Sequence, residues 1–274
     1  MSLFKRTENR DAALGNLVDL LALREGGLTN QTGEKVNEMS ALGISTVYSA
    51  ISLIADSIAL LPIKTVRYDN EKTIFTDKPK FLEKPNQNQT IFQCIHEIIT
   101  SLAMHGNAFV LVDKDRQGRA IGMTPIHPEK VKCEMQGSEK VFMLQGAKGD
   151  YSRRITRNNM LHFTWFQYPG QLVGISPLRT QSNTYGLALA MERHIGGLKW
   201  KAISASAGTE LIEAREQIVN EIARVFRIPA HMLLAKDGSN VYSNIESNGL
   251  QFIRHTLLPW IRRIEDGLGT LLPN

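Results

Sequence analysis

Between Asn107 and Phe166 the chain carries five short runs of strand-forming residues: "NAFVLVD", "AIGMTPI", "KVKCEM", "VFMLQ" and "MLHFTWF". Turn sequences such as "DRQG", "QGSEK" and "AKGD" separate them. Runs this short, joined by tight turns, predict an antiparallel sheet. Helical patterns flank that sheet on both sides. Before it, Val47, Ile51, Ile54, Ile58 and Leu61 recur at helical spacing until Pro62 stops the run. "PIKTVRYDNEKTIF" reads as a hairpin turning at Asp69-Asn70. Thr90 and Gln93 form a capping box for a helix carrying Ile91, Ile95, Ile98 and Leu102, and Gly106 is placed to end it in the left-handed conformation. Helices at both ends of a β-rich middle make the fold class α+β.

After the sheet, Ser176-Pro177 starts a helix expected to run into the 190s, with Gly196-Gly197 as a possible interruption. A second helix covers Leu211 to Ile228, and a third begins after Ser243, where Ser243 and Glu246 form another capping box. Leu250, Ile253, Leu257, Ile261, Ile264 and Leu268 give that last helix an apolar stripe. It is roughly 25 residues, or about 35 Å, long. Pro259 lies within the stripe and removes the bond to the His255 carbonyl, so a kink is expected there. Residues 1–38 are polar apart from Leu17 to Leu23 and read as an N-terminal arm.

The chain has 274 residues, 42% hydrophobic and 22% charged, with a formal net charge of +5. This mild basic excess is compatible with a polyanionic partner but lacks the dense Lys/Arg footprint of a dedicated binder. Cys94 and Cys133 have no paired spacing, which argues against a disulfide framework or a thiolate metal cluster. Neither a signal peptide nor an apolar run of about 18 residues is present, so a soluble protein of a reducing cytoplasm with no membrane partner is expected.

The chemistry-bearing motifs fail one by one. "HEIIT" begins at His96 like a zinc-protease helix but has Thr100 where the second histidine belongs. "GISPL" at Gly174 lacks the second glycine of a nucleophile elbow, and no phosphate-binding loop is found. "DKD" at Asp113 to Asp115 falls in a hairpin turn, and the seven histidines show no ligand spacing. The expectation is a protein that is not an enzyme, with no cofactor and no metal.

One stretch, "NEIARVFRIPAHMLLAKDGSN" from Asn220 to Asn240, raises a different possibility. It opens like a DNA-binding helix-turn-helix. However, Arg227 stands four residues after Ala223, where that motif's turn has glycine, and the second helix dissolves after about one turn into "KDGSN". A helix so short cannot lie along a major groove and reach several bases. The alternative is a helix that delivers a flexible loop to some other place.

The order of the pieces carries a resemblance. "VYSAISLIADSIALLPIKTV", "FLEKPNQNQT", "HGNAFVLVDKDRQGRAIGMTPIHPEKV", "MLHFTW", "GISPL", "EIARVFRIPAHML", "SNIE" and "FIRHTLLPWIRRIEDGL" resemble, block after block over residues 39 to 269, the tailed-phage portal protein family of the Hong-Kong-97 type. The resemblance implies a homo-oligomeric ring of about twelve subunits at one vertex of a virion capsid. Double-stranded DNA would pass through it without sequence recognition, and terminase, capsid and head-completion proteins would dock on it. Assembly would take place in the cytoplasm of a bacterial host. It also implies a division of the chain: residues 39–205 as an α+β wing-like domain, 206–229 as a stem-like channel-lining helix, 230–245 as a tunnel-like loop and 246–274 as a long kinked helix.

In that division Lys236, Asp237, Gly238, Ser239 and Asn240 form the DNA-proximal loop. Lys236 would supply a circle of positive charge, and Asp237 would limit the grip, because neutralising many phosphates tightly would impede sliding. Ile222 and Phe226 pack the channel helix, each contributing roughly 1.5–3 kcal/mol by burial. A helix-turn-helix regulator or another phage DNA-processing protein is the alternative. Several dozen residues expected between the Pro177 and Leu211 helices, the family's first stem helix and clip, have no counterpart, and the join is expected near Gly208 to Leu211. The family's crown, beyond the last helix, is expected to be missing here, so no docking residue is transferred.

Overall fold

The computed structural model describes residues 32–69, 72–146, 149, 151–197, 205–233 and 248–272. Helix α1 (Glu38–Gly43) leads into α2 (Ser45–Ala59), whose Val47, Ala50, Ile51, Ile54, Ala55 and Ile58 are buried on one side. The hairpin β1 (Thr65–Asp69) and β2 (Lys72–Thr76) follows, then a single turn α3 (Lys80–Glu83) that seats Phe81 and Leu82 in the core.

Helix α4 (Ile91–His105) is fixed at both ends. At its start the Thr90 side chain accepts from the Gln93 amide at 3.2 Å, while the Gln93 side chain accepts from the Thr90 amide at 2.9 Å. At its end Gly106 has φ 68°, and a Cβ there would collide with the Ile175 carbonyl. A Cβ on Gly174 would meet the Gly106 carbonyl in turn. The glycine of "HGN" and the glycine of "GISPL" thus let two backbones touch.

The strands form two three-stranded antiparallel sheets rather than one. The first has the order β4-β3-β8, from β3 (Asn107–Lys114), β4 (Ala120–Ile126) and β8 (Met160–Thr164). The second has the order β5-β6-β7, from β5 (Val131–Gln136), β6 (Glu139–Gln145) and β7 (Tyr151–Thr156). Alternation along β3 explains how they stack. Ala108 and Val110 enter the main helical core, and Phe109 on the opposite side joins Val131, Phe142, Ile155 and Met160 in a second, smaller core. A strand covered on both faces reads as the near-continuous apolar run "NAFVLV".

The helix expected from Pro177 into the 190s is divided at Gln181 into α5 (Pro177–Thr180) and α6 (Ser182–Gly197). Gln181 leaves helical geometry, with φ −105° and ψ 20°, and the preceding Thr180 hydroxyl donates back to the Ser176 carbonyl at 3.2 Å. Such side-chain bonds to the backbone compete with helix continuation. Helix α7 (Ala205–Phe226) is continuous through Gly208 and Leu211, so the join expected there lies inside a helix.

Of the second helix weighed for residues 230–235, the described part, 230–233, holds a 3-10 turn at Ala230–Met232, and residues 234 and 235 lie outside the described residues. The described part of the last segment starts at Asn248, widens to π geometry over Phe252–Leu257 and continues as α8 (Leu258–Gly269). The capping box at Ser243 and Glu246 and the loop Lys236, Asp237, Gly238, Ser239, Asn240 lie outside the described residues.

Candidate functional site

The stretch from Asn220 onward is a helix stop, and its geometry is a Schellman motif. The Ile228 amide donates to the Ala223 carbonyl at 2.9 Å, and the Arg227 amide donates to the Arg224 carbonyl at 3.1 Å. The residue between helix and exit in such a motif sits in the left-handed region and is usually glycine. Here it is Arg227 at φ 57°, the sole non-glycine with positive φ among the described residues. The hydrophobic clasp that accompanies the motif is present, since Ile222 and Ile228 are both buried in the main core. Pro229 then forbids continuation. The sequence places the helix end at Ile228, two residues late, because arginine stands where glycine would have signalled the stop; "IP" was the remaining clue.

Arg227 is held from two sides. The buried Thr256 hydroxyl, in the π turn of the last segment, donates to the Arg227 carbonyl. Its guanidinium carbon lies 5.8 Å from the centre of the Trp165 ring, while that of Arg263 lies 4.4 Å from the same ring. Trp165 stacks on Trp260 with centroids 4.2 Å apart. Arg263 also donates to the Pro259 carbonyl at 2.6 Å. Burial, and then the neighbouring Arg227, draw the Arg263 pKa down from its ordinary value. Two cations thus share one indole, which cation–π attraction favours, and they tie α7, α8 and the end of β8 into one joint.

Ile222 and Phe226 are buried, at 0% and 4% exposure, and face the same core as Phe252, Leu257 and Trp260. They fix the second half of α7 to the body. Along the first half, Glu210, Ile212, Glu213, Ala214 and Arg215 are exposed, with Ile212 at 61%. Pro259 follows directly on the π stretch and Leu258; the turn whose amide bond it lacks is the widened one.

The other motifs take structural roles. Asp115 orders the β3–β4 turn by accepting from the Gln117 and Arg119 amides, each at 2.9 Å, and pairing with the Arg119 side chain at 2.8 Å. These bonds, that from the Arg119 amide first, hold its carboxyl below the usual range. His96 lies 3.5 Å from Asp56.

Asn107 fastens "GISPL" by accepting from the Gly174 amide at 2.7 Å and donating to the Gly174 carbonyl at 2.8 Å. His162 completes this network, with Nε2 3.0 Å from Asn107 Oδ1 and Nδ1 2.8 Å from Lys140 Nζ. Lys140 also donates to the Leu172 carbonyl. Because an ammonium only donates, Nδ1 is the acceptor and the His162 proton is on Nε2. Burial, reinforced by Lys140, pushes the His162 pKa down to about 3. Glu38, His105 and His127, which showed no ligand spacing in sequence, converge at the end of α4.

Comparison with known proteins agrees with this arrangement. The sequence matches the Phage portal protein family over residues 45–197 and 195–272. It is 26% identical to the portal protein of Enterobacteria phage HK97 over 85% of this chain and 68% of that one. It is 25% identical to a probable portal protein of Streptomyces phage phiC31 over 90% of this chain and 67% of that one. The fold is similar to an HK97-family phage portal protein from Corynebacterium diphtheriae, with TM-score 0.59 and 18% identity, covering 86% of this chain and 90% of that one. It is also similar to a chain in the neck of a native gene transfer agent particle computed with C12 symmetry, with TM-score 0.63 and 14% identity, covering 85% and 78%. With the two family segments together covering both three-stranded sheets, α7, its Schellman stop and the π-widened last helix, this chain belongs to the phage portal protein family, of the HK97 type.

Proposed function

We propose that this chain is the subunit of a homo-oligomeric ring of about twelve copies at one capsid vertex. The ring would conduct double-stranded DNA during packaging and ejection. The family match spanning residues 45 to 272 carries this reading, and the C12 neck similarity supports the ring.

In this assignment residues 39–205 form the wing-like domain, 206–229 the stem-like helix, 230–245 the tunnel-like loop and 246–274 the long helix bent at Pro259. The half-exposed, half-anchored α7 supports its placement: Ile222 and Phe226 hold one end to the body while the more exposed half meets neighbouring copies. The loop Lys236 to Asn240, leaving from the Arg227 stop, approaches DNA without a base code. Terminase, capsid and head-completion proteins dock on the ring, which assembles in the host cytoplasm and acts in the virion as a structural element. The two family segments meet at 195–197, which supports a missing clip at that point rather than near Gly208. The portal family match, which runs through this stretch, disfavours the helix-turn-helix alternative.

Electron microscopy of the concentrated full chain is the test. Rings of about twelvefold symmetry are expected, and a strictly monomeric chain overturns the assignment. In a packaging assay, replacing Lys236 and Asp237 should impair DNA uptake and leave rings intact; loss of rings would contradict the loop's role.

A further inference from the structure

Three side chains distant in sequence meet at the carboxyl end of α4. Glu38 lies in the first turn of α1, His105 is the last residue of α4, and His127 follows β4. Glu38 Oε2 is 3.2 Å from His127 Nε2 and 3.6 Å from His105 Nε2. All three potential ligand atoms lie within 4.8 Å of one another. The two rings meet edge to face with centroids 5.1 Å apart.

We propose that Glu38, His105 and His127 form a binding site for one divalent transition cation of the Zn²⁺ class, held by both Nε2 atoms and a Glu38 carboxylate oxygen. Ligands at the usual Zn–N and Zn–O distances around a tetrahedral ion stand about 3.4 Å apart. The two Glu38–histidine separations already bracket that value, and the imidazole–imidazole edge closes by a small rotation of the half-exposed His127 ring. Two imidazoles and one carboxylate select zinc, cobalt or nickel over calcium or magnesium, which prefer oxygen throughout.

The surroundings favour positive charge. The carbonyl end of α4 carries the negative pole of the helix, and Glu129 adds its field to that of Glu38 at His105. Glu38 and His127, with side chains 38% and 39% exposed, leave the ion a path from solvent.

His127 has one bond to exchange. Its Nδ1 accepts the Glu129 amide at 3.3 Å, which places the ring proton on Nε2, facing Glu38. An incoming cation takes the place of that proton, which moves to Nδ1, and the ring swings off a bond that is already long. The bound ion ties α1 to the α4 terminus and to the end of β4. Three protein ligands leave a fourth position for water.

The test uses the untagged full chain, stripped with a chelator and titrated with Co²⁺ and then Zn²⁺. The expected result is one Co²⁺ per chain with the visible d–d bands of a four-coordinate nitrogen–oxygen site, displaced by Zn²⁺ and untouched by excess Mg²⁺. Separate His127→Ala and Glu38→Gln variants should each weaken binding at least tenfold, a drop of about 1.4 kcal/mol or more. Zn²⁺ should raise the melting temperature of the parent and not of His127→Ala. Because His127 is half-exposed, an unchanged circular dichroism spectrum will show that this variant folds. Absence of the cobalt bands, or equal affinity in the parent and His127→Ala, overturns the site.

Discussion

Helices α4 and α7 show two ways for a helix to belong to a fold. Along α4, Cys94, Ile95, Ile98, Ile99, Leu102, Ala103 and Met104 are buried from the first turn to the last. A capping box fixes its start, and the Gly106–Asn107–His162–Lys140 network fixes its end. In α7, among the described residues, full burial begins at Val219, and the main anchors follow it: Ile222, Ala223, Phe226 and the Arg227 stop. A helix complete within one chain hides its apolar face along its whole length. One that leaves Ile212 in solvent is suited to complete its packing against something else.

The largest effect should come from breaking the anchored half of α7. Ile222 is fully buried among Phe226, Ile228 and Trp260. Ile222→Asp places a carboxylate there without a partner, an expected loss of about 4 kcal/mol or more, enough to unfold a marginal domain. Denaturant titration will measure it. A variant that stays within about 0.5 kcal/mol of the parent would mean the second half of α7 is not anchored in this way.

The next largest belongs to the end of α4 and appears on acidification. An unfolded His162 takes a proton near pH 6.5, whereas the folded side chain, buried beside Lys140, takes it only near about 3. Between those values the unfolded state holds more protons, so stability falls as pH falls. At pH 4 the penalty reaches roughly 3 kcal/mol. His162→Gln removes the titration, and its stability should lose less than the parent's between pH 7 and pH 4. Parallel slopes for the two proteins would show that the network does not hold a neutral imidazole.

At the start of α4, Thr90→Ala leaves the Gln93 amide without its acceptor and should cost about 1 kcal/mol, a midpoint shift measurable by urea titration. At the end of α7 the comparison is between two replacements of Arg227, both of which lose the contact with Trp165. Alanine keeps a Cβ at φ 57° and glycine removes it, so Arg227→Gly should be more stable than Arg227→Ala by about 1 kcal/mol. Equal stabilities would show that the left-handed stop relaxes in the variants.

This contrast also marks what the sequence makes legible. α4 could be read completely, because its capping box, apolar stripe and terminal glycine are local signals within "TIFQCIHEIITSLAMHG". The Arg227 stop could not, since its cause is tertiary: a carbonyl bonded to Thr256 and a guanidinium over Trp165. Strand β7 escaped for another reason. As an edge strand it buries Ile155 and leaves Arg153 and Arg154 in solvent, so it has no apolar alternation to detect. The division into two sheets depends on β3 returning to β8 rather than β5, a long-range pairing that turn residues do not encode. Glu38, His105 and His127 are joined by how α1, the α4 terminus and the end of β4 pack, and no spacing in sequence announces it.

The smallest effect on folding should have the largest consequence for assembly. Ile212 is 61% exposed on the first half of α7, so Ile212→Asp should change the stability of the isolated chain by less than about 0.5 kcal/mol. If that half packs against neighbouring copies, the same substitution buries a carboxylate at every contact around the ring, a cost multiplied by the number of subunits. Sedimentation of Ile212→Asp should therefore show folded monomers at concentrations where the parent forms rings, with unchanged circular dichroism and denaturant midpoint. Rings as abundant as the parent's would mean that the exposed half of α7 faces solvent or the channel interior instead. The subunit contacts would then have to be sought elsewhere, for instance around α2 and the β1–β2 hairpin, where Tyr48 and Phe75 are also exposed.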